Sequence, residues 1–209
     1  MTNIKSSKKI LGNQAYKKIK LLIIENKLKP GEKIIQQKIA DELEIGIGMI
    51  IGALSILQNE RLVEYLPRRG FFVKNISKKE FCDLLEVRSV LESLAVENIS
   101  KNLNDSVKKQ LLDFLNEFEI KYKDNDIIKY SELDKKFHYY LIETSGNEYL
   151  TDIVSLFNIL LLCYIKGFRS DLKISIGDHR KIINSIINGE HKKASASMKE
   201  HFKKVESFF

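Results

Sequence analysis

The chain has 209 residues, 44% of them hydrophobic and 30% charged, with a formal net charge of +7. That length suits one small and one medium domain, and the composition excludes a disordered or low-complexity protein. The most apolar stretch, Ile153 to Ile165, is interrupted by Ser155 and Asn158 and is too short to span a bilayer, so it reads as a buried helix and no membrane role is expected.

The positive charge is not spread evenly. Residues 1–76 carry 14 Lys and Arg against 7 Asp and Glu, and the rest of the chain is balanced at 21 of each. An excess confined to the first third fits polyanion binding through that part, because neutralised phosphates release condensed counterions. Met1 to Ile10 is polar and lysine-rich without the apolar core of a signal peptide, so residues 1–11 read as a flexible basic arm that includes Lys5, Lys8 and Lys9. Cys82 and Cys163 stand far apart without a partner motif, the pattern of reduced thiols in a cytoplasmic protein.

Residues 12–76 hold both prolines and most of the glycines, so turns concentrate there. Ala15, Ile19, Leu22 and Ile23 recur at helical spacing, which predicts a helix over Asn13–Lys27 that stops before Pro30-Gly31. A short helix at Gln36–Leu43 follows, with Ile39 and Leu43 inward, then a turn at Glu44–Gly46 and a third helix over Ile47–Asn59 burying Ile50, Leu54 and Leu57. Leu62–Leu66 and Phe71–Lys74 read as two short strands around the turn Pro67-Arg68-Arg69-Gly70. Three helices and a basic hairpin make a winged helix-turn-helix.

Residues 77–209 contain no proline and no convincing strand. Six helices are predicted, at 78–102, 105–122, 126–145, 147–169, 176–188 and 191–208, forming an antiparallel all-α bundle. The fold class is therefore mainly α, with the winged domain first and the bundle second.

Three of the four histidines occupy odd places. His179 shares a helix face with Ile182, Ile183 and Ile186; His201 shares one with Ala194, Met198 and Val205. Asp134 and His138 stand four residues apart, so one face of one helix presents both. His191, which opens the last helix, is expected to face solvent. Buried imidazoles and carboxylates need partners. An Asp and three His converging from three helices would supply neutral nitrogen and anionic oxygen to Zn²⁺, Ni²⁺, Mn²⁺ or Fe²⁺.

Lys29-Pro30-Gly31-Glu32, Ile39-Ala40-Asp41-Glu42-Leu43, Ala53-Leu54 and Arg69-Gly70-Phe71-Phe72-Val73 resemble the DNA-binding half of GntR-family regulators. Glu86-Val87-Arg88 with Leu91-Glu92, Leu133-Asp134 with Phe137-His138, and Asp178-His179 leading through Asn188-Gly189 to Met198 and His201-Phe202 are similar to the FCD sensing domain of the FadR subgroup. The resemblance covers about residues 12 to 207, nearly the whole chain. It implies that Asp134, His138, His179 and His201 are the metal ligands. It also implies that Arg88 faces the same cavity, where its planar fork would pair with the carboxylate of a small organic acid effector. The other reading of Arg88 is a salt bridge with Glu86 or Glu92. Tyr164 and Arg169 are further effector-pocket candidates.

The resemblance breaks at the third helix. Family members read Ser-Arg-Thr-Pro-Val-Arg-Glu-Ala-Leu where this chain has Gly46-Ile47-Gly48-Met49-Ile50-Ile51-Gly52-Ala53-Leu54. Hydroxyl and guanidinium contacts to phosphates and base edges are therefore missing. Lys33, Gln36, Gln37, Lys38, Arg61, Arg68 and Arg69 remain for DNA, the last two on the wing tip, within reach of phosphate or a minor groove. The expected function is an effector-responsive, DNA-binding transcription regulator, acting as a homodimer on double-stranded DNA. The alternative is a ligand-binding protein on a regulator scaffold with weakened DNA recognition. An enzyme is not expected, because no second carboxylate stands out as a general base beside the metal.

Overall fold

The computed structural model describes residues 2–156 and 172–206. These fall into two compact units, one up to Ile76 and one starting at Ser77.

The first unit opens with α1 (Thr2–Ile24), followed by α2 (Gln36–Leu43), α3 (Ile47–Asn59), β1 (Val63–Leu66) and β2 (Gly70–Val73). Helix α1 lies against α3 and buries Ala15, Ile19 and Ile23, one residue from each successive turn. A polar clamp fixes the same contact. The Tyr16 hydroxyl donates to Glu60 Oε1 at 2.7 Å, and Lys20 Nζ reaches Glu60 Oε2 at 2.9 Å. Helix α2 ends on Glu44 in the left-handed conformation, and α3 starts after the extended Gly46. Ile50, Ala53, Leu54 and Leu57 of α3 are buried. The strands pair antiparallel from Val63 with Val73 to Leu66 with Gly70. Lys33 adds an isolated bridge to Phe72. The hairpin turn needs positive φ at Arg68 (64°) and Gly70 (95°), the second a value that glycine adopts without strain.

Two details of this unit differ from expectation. Helix α1 runs back to Thr2, through the stretch read as a flexible arm, because Lys and Ser interrupt a helical pattern without breaking it. Leu43 is only half-buried, leaving Ile39 and Ala40 as the inward face of α2.

The second unit consists of α4 (Lys78–Lys101), α5 (Asp105–Lys123), α6 (Ile127–Thr144), α7 (Glu148–Leu156), α8 (Leu172–Ile187) and α9 (His191–Glu206). Helix α4 packs along α9 and also touches α6 and α8; α5 packs on α6 and α8. The starts are written in the sequence. The Ser77 hydroxyl accepts from Glu80 N while the Glu80 carboxylate accepts from Ser77 N, a reciprocal capping box. Asn104 and Asp126 cap α5 and α6 in the same sense. Gly189, at φ 71°, turns the chain from α8 into α9.

Helix α8 is described from Leu172, four residues before the expected start, and its buried stripe there includes polar Ser175. The helix expected over 147–169 is described only to Leu156. Cys82 is a half-buried free thiol, and Cys163 lies outside the described residues. Among the described residues no helix is long and apolar enough to cross a membrane.

Helix α4 carries Arg88 and Glu92 into the interior, so its cap matters beyond the first turn. Ser77→Ala should cost about 1 kcal/mol of stability by leaving the Glu80 amide uncapped. The check is the denaturant midpoint, which should fall without a change in m-value.

Candidate functional site

Asp134, His138, His179 and His201 meet in the interior of the second unit, each no more than 4% exposed. Helix α6 supplies the first two from adjacent turns, while α8 and α9 supply the others. One ligand-capable atom from each of the three imidazoles lies within 4.8 Å of the others. Asp134 Oδ1 stands 3.2 Å from His179 Nε2 and 3.6 Å from His138 Nε2. His179 Nε2 makes no hydrogen bond among the described residues.

A divalent ion bonded to nitrogen and oxygen at about 2.1 Å sets its ligand atoms roughly 3.0–3.4 Å apart, depending on coordination geometry. The 3.2 Å from Asp134 Oδ1 to His179 Nε2 is of that size and the other separations, 3.6 Å and up to 4.8 Å, are wider, so the donor set fits such an ion in number and chemistry and would draw in slightly around it. Two of the far ring nitrogens are also held, and the third faces a carboxylate. Glu92 of α4 binds His138 Nδ1 in a very short contact. The Tyr130 hydroxyl lies 3.2 Å from His179 Nδ1 and donates to Ser175 Oγ at 3.1 Å. His201 Nδ1 stands 3.6 Å from Asp178 Oδ2, and Asp178 Oδ1 accepts from Lys204 at 2.7 Å. Outer partners of this kind fix the tautomer and orientation that a histidine ligand requires. Phe118, Phe137 and Phe202 pack against the imidazole rings and keep the cluster dry.

Arg88 is also buried, with Nε donating to Glu92 Oε1 at 2.8 Å and its guanidinium over the Phe202 ring at 4.8 Å. The salt bridge to Glu92 is thus present, and it continues a chain from Arg88 through Glu92 to His138. Tyr164 and Arg169 lie outside the described residues. His191 is exposed, as expected.

The sequence shows no second carboxylate near the cluster, and here the structure corrects the expectation. Glu92 and Asp178 both adjoin the histidines. Glu92 was legible only through its i,i+4 spacing from Arg88, on a buried face of α4 that also carries Ser93 and Ser100. Both carboxylates already serve a histidine and a cation, so they orient imidazoles.

The electrostatics follow from burial. Desolvation works against Glu92 and Asp134 as anions. The Arg88 and His138 charges nonetheless hold Glu92 below the usual carboxylate range, and His138 and His179 do the same for Asp134. Desolvation also opposes a charged His138, but Glu92 and Asp134 overcome it and raise its pKa to about 9. His179 is dominated by desolvation and falls to about 4.

The DNA-binding candidates lie on the first unit. Lys33, Lys38, Arg61, Arg68 and Arg69 are exposed. Gln36 is half-buried, and the Gln37 amide donates to Asp41 at 2.7 Å within α2. Arg69 extends over the Phe72 ring at 5.1 Å.

Without a bound ion, the two shifted histidines give opposite pH limbs. From the ordinary value of 6.5 down towards 4, the unfolded chain takes a proton that folded His179 refuses, so stability falls. The charge on His138 contributes stability fully below 6.5, and that contribution is lost as pH rises towards 9. The melting temperature of chelator-treated protein should therefore peak near 6.5. His138→Gln should flatten the alkaline limb and His179→Gln the acid limb.

Comparison with known proteins agrees with this two-unit arrangement. Residues 11–73 match the model for bacterial regulatory proteins of the gntR family, and residues 83–204 match the FCD domain. An uncharacterized HTH-type transcriptional regulator of Bacillus subtilis, YdhC, is 26% identical over 90% of this chain and 86% of its own length. The gluconate operon transcriptional repressor of Bacillus licheniformis is 26% identical over 80% of this chain and 69% of its own. In fold, the chain is similar to Escherichia coli McbR/YncC, with a TM-score of 0.75 at 18% identity over 95% of this chain and 96% of that one. A GntR-type regulator from Rhodococcus gives a TM-score of 0.78 at 18% identity, over 94% of this chain and 96% of its own. The chain belongs to the GntR family of bacterial transcription regulators, DNA-binding proteins and not enzymes, with an FCD domain as its second half.

Proposed function

We propose that this regulator binds one divalent ion through Asp134, His138, His179 and His201, and that a small organic acid bound beside the ion controls DNA binding by a cytoplasmic homodimer. The observation that carries the reading is the buried cluster itself: three imidazoles within 4.8 Å, with Asp134 Oδ1 3.2 Å from His179 Nε2. When bound, the ion would supply a Lewis-acidic centre attractive to carboxylate and hydroxyl oxygens. Zn²⁺, Ni²⁺, Mn²⁺ and Fe²⁺ all suit a nitrogen-rich set with one carboxylate. Arg88, Tyr164 and Arg169 are the effector-binding candidates, with the Arg88 guanidinium as the partner of an acid carboxylate. A relative named for the gluconate operon makes gluconate a suitable first probe and a repressor role the natural assignment.

On the DNA side, affinity rests on cations of the first unit, with Arg68 and Arg69 at the wing tip contributing most. Lys33, Lys38 and Arg61 add phosphate contacts, and Gln36 and Gln37 sit on the neighbouring helix. The exposed side of α3 lacks charge, which favours as second reading a ligand-binding protein with weakened DNA recognition.

Elemental analysis of protein purified without chelator should find about one equivalent of divalent metal per chain. His179→Ala should lower metal content and melting temperature together. Protein that stays metal-free after divalent ions are offered, and melts identically with chelator, would reduce the cluster to a polar network. Selection of DNA from a random library, with and without metal and gluconate, tests the regulator reading; a gluconate-dependent change in retained DNA supports it. Arg68→Ala with Arg69→Ala should weaken DNA binding more than truncating Ile47 or Ile51, and lower the salt slope by about 1 for each phosphate that is no longer neutralised.

A further inference from the structure

The exposed side of α3 combines two features that the fold does not require. Ile47 and Ile51, one turn apart at the start of the helix, are 45% and 43% exposed, and Ile56 is 50% exposed. Gly48 and Gly52 stand beside these isoleucines on the outward face, and a methyl group built on either would meet no atom within 4 Å. Glycine in a helix interior is costly relative to alanine, so folding alone favours Ala at both positions. The Ser55 hydroxyl does not project a donor either, because it returns to the Ile51 carbonyl at 2.9 Å. The first two turns of α3 thus present a shallow backbone valley flanked by isoleucine side chains, without a charged group.

Helix α3 follows α2 across a tight turn and packs against it, and it is the second helix of the helix-turn-helix. In that motif the N-terminal residues of the second helix meet base edges in the major groove. The distinctive apolar group in that groove is the C5-methyl of thymine. Charge complementarity points to the same occupant. Lys33, Lys38, Arg68 and Arg69 are exposed on this unit, and it holds the whole positive excess of the chain.

We propose that α3 reads DNA by apolar contact: Ile47 and Ile51 pack on thymine methyl groups of an A·T-rich operator, and Gly48 and Gly52 let the helix backbone sink into the groove. The inference rests on the DNA-binding reading above and deepens it. Cations set the affinity, and the isoleucines set a mild preference. Burying one methyl-sized group corresponds to about a fourfold change in affinity, roughly 0.8 kcal/mol.

The test uses the full-length chain and the DNA it retains from a random library. In the selected sequence each thymine is replaced in turn by deoxyuridine, which deletes only the methyl group. Selection should enrich thymine steps, and deoxyuridine at the contacted positions should weaken binding about fourfold per methyl. Ile51→Ala should bind thymine and deoxyuridine DNA equally at the position that Ile51 contacts. Gly52→Ala gives a readout that a folding defect cannot mimic: its melting temperature should rise while its DNA affinity drops several-fold. Equal affinity for thymine and deoxyuridine DNA at every position would overturn apolar readout while leaving DNA binding intact. A Gly52→Ala protein that binds as tightly as the parent would overturn close approach. If no DNA is retained even at low salt, the DNA-binding reading fails with the proposal, and the face becomes a protein-docking surface.

Discussion

Charge buried in a dry helical interior is the constraint on which the second unit depends. Arg88, Glu92, Asp134, His138, His179 and His201 come from four helices and are all nearly inaccessible to water. An isolated ionised group in such surroundings would be too costly to retain, so each must have a partner on another helix or another turn. The partnership runs from Arg88 to Glu92 to His138 on one side, and from Lys204 to Asp178 to His201 on the other. Helices α4, α6, α8 and α9 consequently meet at one point for polar reasons as well as apolar ones. Removal of one member strands another, which is why the cluster acts as a unit.

A set of ligand atoms held this way is pre-organised. Tyr130 and Glu92 secure the outer nitrogens of His179 and His138, and the Nε2 atoms of both are directed at Asp134. An ion entering the cluster would find ligands already oriented and little side-chain entropy left to lose. The aromatic rings around the imidazoles lower the local dielectric, which strengthens attraction between an ion and Asp134. The first unit follows the opposite rule. Its DNA-binding candidates Lys33, Lys38, Arg61, Arg68 and Arg69 are exposed, where water and salt screen them and where a polyanion can displace counterions.

The four ligand candidates were legible because polar residues at i and i+4, or on a stripe of isoleucines, contradict the pattern around them. Asp134 with His138 and His179 among Ile182, Ile183 and Ile186 are of this type. Ser175 shows the limit of such patterns. Buried to meet the Tyr130 hydroxyl, it interrupts the apolar stripe of α8 and hid the helical turn ahead of Ile176. Glu92 was visible only as half of an i,i+4 ion pair with Arg88, and nothing local shows that its second oxygen reaches His138, 46 residues away in sequence. Boundaries set by Gly and Asn turns were readable because the backbone conformation demands those residues. The start of α1 was not, since lysine-rich helix and lysine-rich coil have the same composition.

The most direct measurement of the central claim is a two-dimensional NMR titration of the metal-free protein, with its histidine rings labelled with ¹⁵N, against a diamagnetic divalent ion such as Zn²⁺. The account predicts that His138, His179 and His201 lose their free-imidazole signals together at one equivalent and acquire metal-bound shifts, while exposed His191 is unchanged. Uniform weak shifts of all four rings, or a response from His191 alone, would contradict it.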